Sequence, residues 1–253
     1  MNRRFSLACF ALILFSPALC LAQGTPTPAP RKPLSSSKWK EKLEPGDIVF
    51  IRSRSNNAPL IAALSNENEK SDADNVFTHC GIIFKDSNKV LRVYEGEGRG
   101  AGKYLKVEDW QKKVSDGKVD GAPKSKPLHN VYAMRWKGEP SLAPGLDKIL
   151  TRAKQLHDKD YDHGFSWTET RAYCSELVWK AYAASDLRLL EELPTMEKYV
   201  NGAPDYADKI KAKLEKAKAD GFRDTGYVPK ESAISPEDIY KSARLTPITD
   251  EHP

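Results

Sequence analysis

Several short runs of mostly apolar residues lie in the first half of the chain. Runs of this kind, rich in Val, Ile, Phe and Tyr and bounded by turn residues, are typical of β-strands. The predicted strands cover residues 48–51, 76–84, 90–94 and 131–136. The polar residues 85–89 join the second and third runs, so this pair is predicted to form a β-hairpin.

In the second half, apolar residues recur every three or four positions, which is the period of a helix with one buried face. Helices are predicted after Pro144-Gly145, from Ser175, around a stripe that starts at Tyr206, and after the N-cap Ser235. A short helix is also predicted over residues 58–64. Strands first and helices later predict one α+β domain with a mainly antiparallel sheet.

The first 22 residues have the pattern of a secretory signal peptide. A basic start precedes an almost uninterrupted apolar run over residues 5–21, and small residues stand at the −3 and −1 positions of a cleavage site after Ala22. A lipoprotein signal lipidated at Cys20 is the rival interpretation, but the residues just before Cys20 fit it poorly. We therefore expect a cleaved, periplasmic or secreted protein without a stable membrane span.

Composition shifts suggest the boundaries of the mature protein. Residues 23–42 are rich in Pro, Ser and Thr and predict an extended linker, and residues 43–253 are predicted to form the folded domain. Two charged segments interrupt it, over residues 103–126 and 187–221. The second is expected to be a peripheral insertion that contains the lysine-rich helix.

The 253 residues contain 40 Lys and Arg and 35 Asp and Glu, with both signs mixed along the chain. This balance gives no basic patch of the kind that binds nucleic acid, and we expect no nucleic-acid partner. Four cysteines are too few for a disulfide-framework miniprotein or a multi-cysteine zinc or iron–sulfur module. Nothing in the composition predicts the oligomeric state.

Only Cys80 and Cys174 remain after removal of the predicted signal peptide. A disulfide between them is the simplest expectation for an exported protein. The alternative is one buried structural thiol and one nucleophile. Composition leaves both open.

Cys174 is predicted to lie in the first turn of an apolar helix. There the unpaired N–H groups and the positive end of the helix dipole would stabilise a thiolate and could donate to a developing oxyanion. A small buried cysteine that opens a core helix explains the same pattern.

His79 and Glu95 supply what a nucleophilic cysteine requires, an imidazole and a third group that orients it. The hairpin would bring Glu95 beside the start of the strand that carries His79. Strand alternation would place His79 and Gly81 on one face and Cys80 on the other, in the core behind. A structural histidine and a turn glutamate remain the alternatives.

The other histidines, His129, His157 and His163, lie in polar stretches and are predicted to be exposed and without a role. His79 and Cys80 are adjacent on one strand and would point to opposite faces, so they do not predict a zinc site together with Cys174. We expect neither a metal nor an organic cofactor.

Several motifs occur together in an order that is known from one protein family. The chain resembles the YaeF/YiiX-like permuted papain-fold amidases of the NlpC-type cysteine hydrolase superfamily. The motifs are Leu43-Glu-Pro-Gly-Asp-Ile-Val-Phe50, Thr78-His-Cys-Gly-Ile82, Val93-Tyr-Glu95, Tyr161-Asp-x-x-Phe165, Tyr173-Cys-Ser-Glu-Leu-Val-Trp179 and Ser235-Pro-Glu-Asp238.

The resemblance implies a circularly permuted papain-like fold, with an antiparallel, barrel-like sheet packed against the cysteine-bearing helix. It implies Cys174 as nucleophile, His79 as general base, Glu95 as the orienting residue and Tyr173 at the wall of the substrate site. The expected reaction is cleavage of an amide, in a cell-wall peptide or a related small molecule. Lipid acyl transfer, lipid amide or ester hydrolysis, and a non-catalytic binding module on the same scaffold are the alternatives.

Overall fold

The structure is a computed structural model that describes residues 37–52, 77–96, 104–110, 130–202, 204 and 207–248. The predicted signal peptide, most of the predicted linker, the helix predicted over residues 58–64, and Tyr206 lie outside the described residues, as does most of the 103–126 segment.

Six strands form one sheet, in the order β4-β3-β2-β1-β5-β6, and every neighbouring pair is antiparallel. The strands are β1 (Ile48–Arg52), β2 (Phe77–Lys85), β3 (Leu91–Glu95), β4 (Leu105–Lys106), β5 (Asn130–Trp136) and β6 (Leu245–Ile248). The four predicted strands are confirmed, whereas the short edge strands β4 and β6 were not predicted.

In the described residues, five named helices follow β5 along the chain. They are α1 (Leu146–His157), α2 (Cys174–Ala183), α3 (Met196–Gly202), α4 (Ala207–Ala219) and α5 (Pro236–Tyr240). Short 3₁₀ turns occupy Ser37–Lys42 and Ala143–Gly145. The N-cap predicted at Ser235 is confirmed, because its hydroxyl accepts the N–H of Asp238. Helix α3 was not predicted.

The sheet separates two cores because successive side chains of a strand point to opposite faces. The inner core joins one face to α1, α2 and α5 and includes Phe50, Cys80, Ile82 and Cys174. The outer core covers the other face; its buried members are Leu43, Val49, Ile51, Ile83, Val93, Val107, Trp110, Val131 and Ala133.

The segment predicted as an insertion divides between two clusters. Leu187 and Leu189 are buried in the inner core, so its beginning is part of the main scaffold. Helices α3 and α4 instead pack on each other around Tyr199, Ile210 and Leu214, in a third cluster with few members. That this part is peripheral stays a prediction.

In the ranges that the structure covers, no helix combines the length and the hydrophobicity needed to cross a bilayer.

Candidate active site

The β2–β3 hairpin brings His79 and Glu95 together. Its turn is held by Asp86, whose carboxylate accepts the backbone N–H groups of Asn88 and Val90. The register then pairs Gly81 with Glu95. As predicted from the sequence, Glu95 comes to lie beside the start of β2, where its Oε2 is 2.6 Å from Nε2 of His79. Glu95 is buried, and the His79 side chain retains 13% of its exposure.

The predicted position of Cys80 is wrong, and a β-bulge lies just before it at the start of β2. The register pairs Ile51 with His79 and Arg52 with Phe77, so Thr78 is an extra residue opposite β1. A bulge re-aims the neighbouring side chains. Phe77 and Cys80 accordingly lie in the same inner core although they are three positions apart. Regular alternation places Cys80 on the same face as Ile82 and Phe84, toward α2. There it interacts with Cys174, instead of lying in a core behind His79.

Cys174 is the first residue of α2, one position earlier than the predicted start of this helix. Tyr173 is the N-cap in extended conformation, and its N–H donates to Oε2 of Glu176 at 3.3 Å in a capping box. Gly96 lies against this turn, since a Cβ there would be 3.0 Å from the backbone nitrogen of Cys174. The absence of a side chain at Gly96 thus lets the end of β3 approach the start of α2.

The environment favours the thiolate of Cys174. The largest influence on the pKa of Cys174 is a hydrogen bond from the Cys80 thiol, which lowers it. Burial of Cys174 raises the same pKa. The charge and hydrogen bond of His79, and a hydrogen bond from the backbone N–H of Cys80, lower it further. The net result is a pKa well below that of an ordinary cysteine. Cys174 and Cys80 are both buried free thiols, so the disulfide alternative is not what the structure contains.

His79 responds in the opposite direction. Burial disfavours its protonated form, but the charge and hydrogen bond of Cys174, and then those of Glu95, raise its pKa to about 10. At neutral pH the pair is therefore a thiolate and an imidazolium. Burial and the neighbouring Cys174 raise the pKa of Cys80 well above its ordinary range, so Cys80 remains a thiol and is the donor to Cys174.

Tyr161 also lies within electrostatic reach of Cys174. A bridge between Tyr161 and Ala172 holds it beside the segment that leads into α2. Burial, followed by the charge of Cys174, raises the pKa of Tyr161 well above its ordinary value, so the phenol keeps its proton as a hydrogen-bond donor. Tyr161 begins the motif Tyr161-Asp-x-x-Phe165, from which no role was predicted for it.

Tyr173 packs inside the protein, and the substrate-contacting role predicted for it stays a prediction. Its side chain belongs to the inner core, and the residue is 2% exposed. Its hydroxyl accepts the N–H of Ile234 at 3.1 Å. Tyr173 therefore joins the start of α2 to the segment before α5.

Two residues that sequence reasoning missed contact Glu95. The indole Nε1 of Trp110 donates to Glu95 Oε2 at 2.7 Å, and Nδ1 of His157 lies 2.6 Å from the backbone oxygen of Glu95. The prediction of an exposed His157 is wrong, because it ends α1 with its ring against the hairpin and is buried. No local sequence signal links either residue to Glu95.

Comparison with known proteins gives a match over most of the chain. A family profile described as "Permuted papain-like amidase enzyme, YaeF/YiiX, C92 family" matches residues 42–249. The chain belongs to this family. The predicted resemblance and the fold class are thereby confirmed, and at family level the protein is a cysteine-type amide hydrolase.

Two relatives from Escherichia coli cover most of the family domain. The uncharacterized protein YiiX of strain K12 is 25% identical over 209 residues, which are 82% of this chain and 87% of YiiX. The crystal structure of YiiX from O157:H7 covers 83% of this chain and 98% of its own, with 26% identity and a TM-score of 0.57. Its title calls that protein a metalloprotein. Among the described residues of the present chain, no group of three or more His, Cys, Asp or Glu side chains is arranged to hold a metal ion.

Proposed function

We propose that Cys174, His79 and Glu95 form the catalytic triad of this amidase. The observation that carries the proposal is the position of the imidazole, which interacts with Cys174 and has its Nε2 on Glu95. That bond leaves Nδ1 as the ring nitrogen for Cys174. Nucleophile, base and orienting residue are then connected in the order that thiol catalysis requires.

In the proposed reaction, Sγ of Cys174 attacks the carbonyl carbon of the amide and the oxygen takes up the negative charge. The imidazolium of His79 gives its Nδ1 proton to the leaving nitrogen, the C–N bond breaks, and an amine leaves. Water then attacks the thioester, Nδ1 accepts its proton, and the C–S bond breaks. The acid product leaves and the thiolate is restored.

Proton release in the first step is favoured by the attack itself. The charge of Cys174 is one of the causes that raise the pKa of His79. Formation of the C–S bond removes that charge from sulfur, so the pKa of His79 falls when its proton is needed by the leaving group.

The oxyanion has two candidate sources of hydrogen bonds. The first turn of α2 has unpaired N–H groups beside the sulfur. The protonated phenol of Tyr161 lies within electrostatic reach of the same atom. Both are neutral donors, which stabilise charge on the oxygen without neutralising the thiolate before attack.

We further propose an exported enzyme whose substrate is an amide in a cell-wall peptide or a related small molecule. The support for export is the signal-peptide pattern over residues 1–22. The support for an amide is the family description. The proposed partner is thus a peptide or small molecule, possessing an amide with an accessible carbonyl.

Alkylation tests the nucleophile without knowledge of the substrate. Native protein is treated with iodoacetamide at pH 6, and modification of each cysteine is followed by peptide mass spectrometry. We expect Cys174 to react far faster than a free cysteine, whose pKa is about 8.5, and Cys80 to react slowly as the internal control. His79→Ala should remove the enhanced rate. A rate at Cys174 no higher than that at Cys80 would refute the assignment.

Product analysis tests the substrate class. The protein lacking residues 1–22 is incubated separately with peptidoglycan fragments and with N-acyl amino acids, and Cys174→Ser is the matched control. A new amine and acid pair from the peptidoglycan arm alone, absent with Cys174→Ser, supports the proposal. Products from the N-acyl arm alone would replace it with lipid amide hydrolysis, and binding without products in either arm would favour a binding module.

A further inference from the structure

One carboxylate oxygen at the site accepts two hydrogen bonds. Oε2 of Glu95 is 2.6 Å from Nε2 of His79 and 2.7 Å from Nε1 of Trp110. Glu95 and Trp110 are both buried. The indole has a single polar group, an N–H that can only donate, and a bond from it to a buried carboxylate is charge-assisted.

Trp110 is held in place independently of Glu95. Residues 107–110 are helical, which puts Val107 and Trp110 on the same side because positions three apart share a helix face. Both side chains pack in the outer core against residues of the sheet such as Val93. The ring is thus fixed by apolar contacts, and its N–H is presented to Glu95 from a rigid support.

The backbone of Glu95 has a separate support on the inner side. Nδ1 of His157 contacts the Glu95 carbonyl oxygen at 2.6 Å, from the last turn of α1. The backbone N–H of Glu95 points to the same Nδ1 at 3.3 Å, so this ring nitrogen contacts both backbone polar groups of Glu95. The main chain of Glu95 is held from α1 and its carboxylate from the outer core.

We propose that Trp110 is a positioning residue of the active site, which holds Oε2 of Glu95 toward Nε2 of His79 and so directs Nδ1 toward Cys174. The inference rests on the proposed function. Trp110 is buried and acts only through Glu95. Trp110 belongs to the charged segment over residues 103–126, so this segment contributes to the catalytic geometry itself.

A double-mutant cycle separates positioning from a merely structural role. The iodoacetamide rate of Cys174 at pH 6 is measured for wild type, Trp110→Phe, Glu95→Ala and the double variant. Phe retains most of the ring packing and loses the donor. The carboxylate of Glu95 then loses one of its two charge-assisted hydrogen bonds, so we expect Trp110→Phe to slow Cys174 by about ten-fold. In the Glu95→Ala background the same change should have no further effect.

Trp136→Phe is the matched control. Trp136 is also a buried tryptophan whose N–H donates to a single acceptor, the backbone oxygen of Pro140 at 3.0 Å. Trp136→Phe should lower the free energy of unfolding in urea and leave the rate at Cys174 unchanged. Replacement of Trp110 by benzothienylalanine, which keeps the indole shape without the N–H, tests the same point if Trp110→Phe fails to fold.

The outcomes distinguish this inference from the proposed function. An unchanged rate in Trp110→Phe with a slowed Glu95→Ala would overturn the role of Trp110 alone. An equal loss for Trp110→Phe in both backgrounds would also overturn it, because the effect would not pass through Glu95. An unchanged rate in Glu95→Ala would instead refute the proposed role of Glu95.

Discussion

Glu176 should make the stability of the domain depend on pH, in a direction opposite to that of a paired surface carboxylate. It is fully buried, and burial raises its pKa from the ordinary 4.5 to about 7 although Lys180 opposes this. A folded state that binds the proton more tightly than the unfolded state loses stability as pH rises between these two values. Glu176→Gln removes the titration and retains an oxygen for the N–H of Tyr173.

The expected size follows from the two pKa values. One pKa unit corresponds to about 1.4 kcal/mol, so a rise from 4.5 to about 7 lowers the free energy of unfolding by about 3 kcal/mol above pH 7. The substitution also removes the ion pair with Lys180, which keeps Glu169 as a second partner. At pH 8 we therefore expect Glu176→Gln to be more stable than wild type by up to about 3 kcal/mol, with the difference decreasing toward pH 4.5.

Urea unfolding of both proteins between pH 4.5 and 8.5 measures this difference. Glu169→Gln is the control: burial opposes its ionisation, but Lys180 and Arg152 lower the pKa of Glu169 to about 2. Its carboxylate therefore stabilises the fold above pH 4.5, and that contribution is lost as pH falls. Glu169→Gln should be less stable than wild type at pH 8, by a small amount because Glu169 is mostly exposed. A difference for Glu176→Gln that is constant with pH would refute the argument.

Three further predictions concern activity and architecture. The pH profile of kcat/KM should have an alkaline limb near pH 10, where His79 loses its proton, and an acid limb well below pH 8 set by Cys174; an alkaline limb near pH 7 would contradict the ion pair. Thiol titration of denatured, non-reduced, active enzyme should find Cys80 and Cys174 both free, and a quantitative disulfide would contradict Cys174 as nucleophile. Shortening the chain between Gly202 and Gly221 should lower the melting temperature, because the third cluster loses Ile210 and Leu214. The iodoacetamide rate of Cys174 should stay unchanged. Loss of the folded domain would show that α4 belongs to the scaffold.

Sequence reasoning was sufficient where the determinants are local. The hairpin that joins His79 to Glu95 is defined by two β-rich runs and a five-residue turn, so both side chains could be placed from their distance to the turn. The start of α2 at Cys174 was recognisable within one residue, because apolar spacing and capping chemistry lie next to each other in the chain.

Positions that depend on an irregularity or on remote packing could not be predicted. One extra residue at Thr78 breaks the alternation between Phe77 and His79, and no alternation pattern indicates a bulge. Trp110 lies in a charged segment and reaches Glu95 through the outer core. His157 stands in a polar stretch and is buried only because the last turn of α1 meets the hairpin.

The division of the molecule by its sheet gives activity a demanding dependence on structure. Cys174 belongs to the inner core, and the indole that supports Glu95 belongs to the outer one. If Trp110 positions Glu95 as we propose, activity requires both cores to be packed against the sheet at the same time. Loosening of either core would abolish activity while most of the strand pairing persisted. We therefore expect inactivation on heating to precede the loss of β-structure.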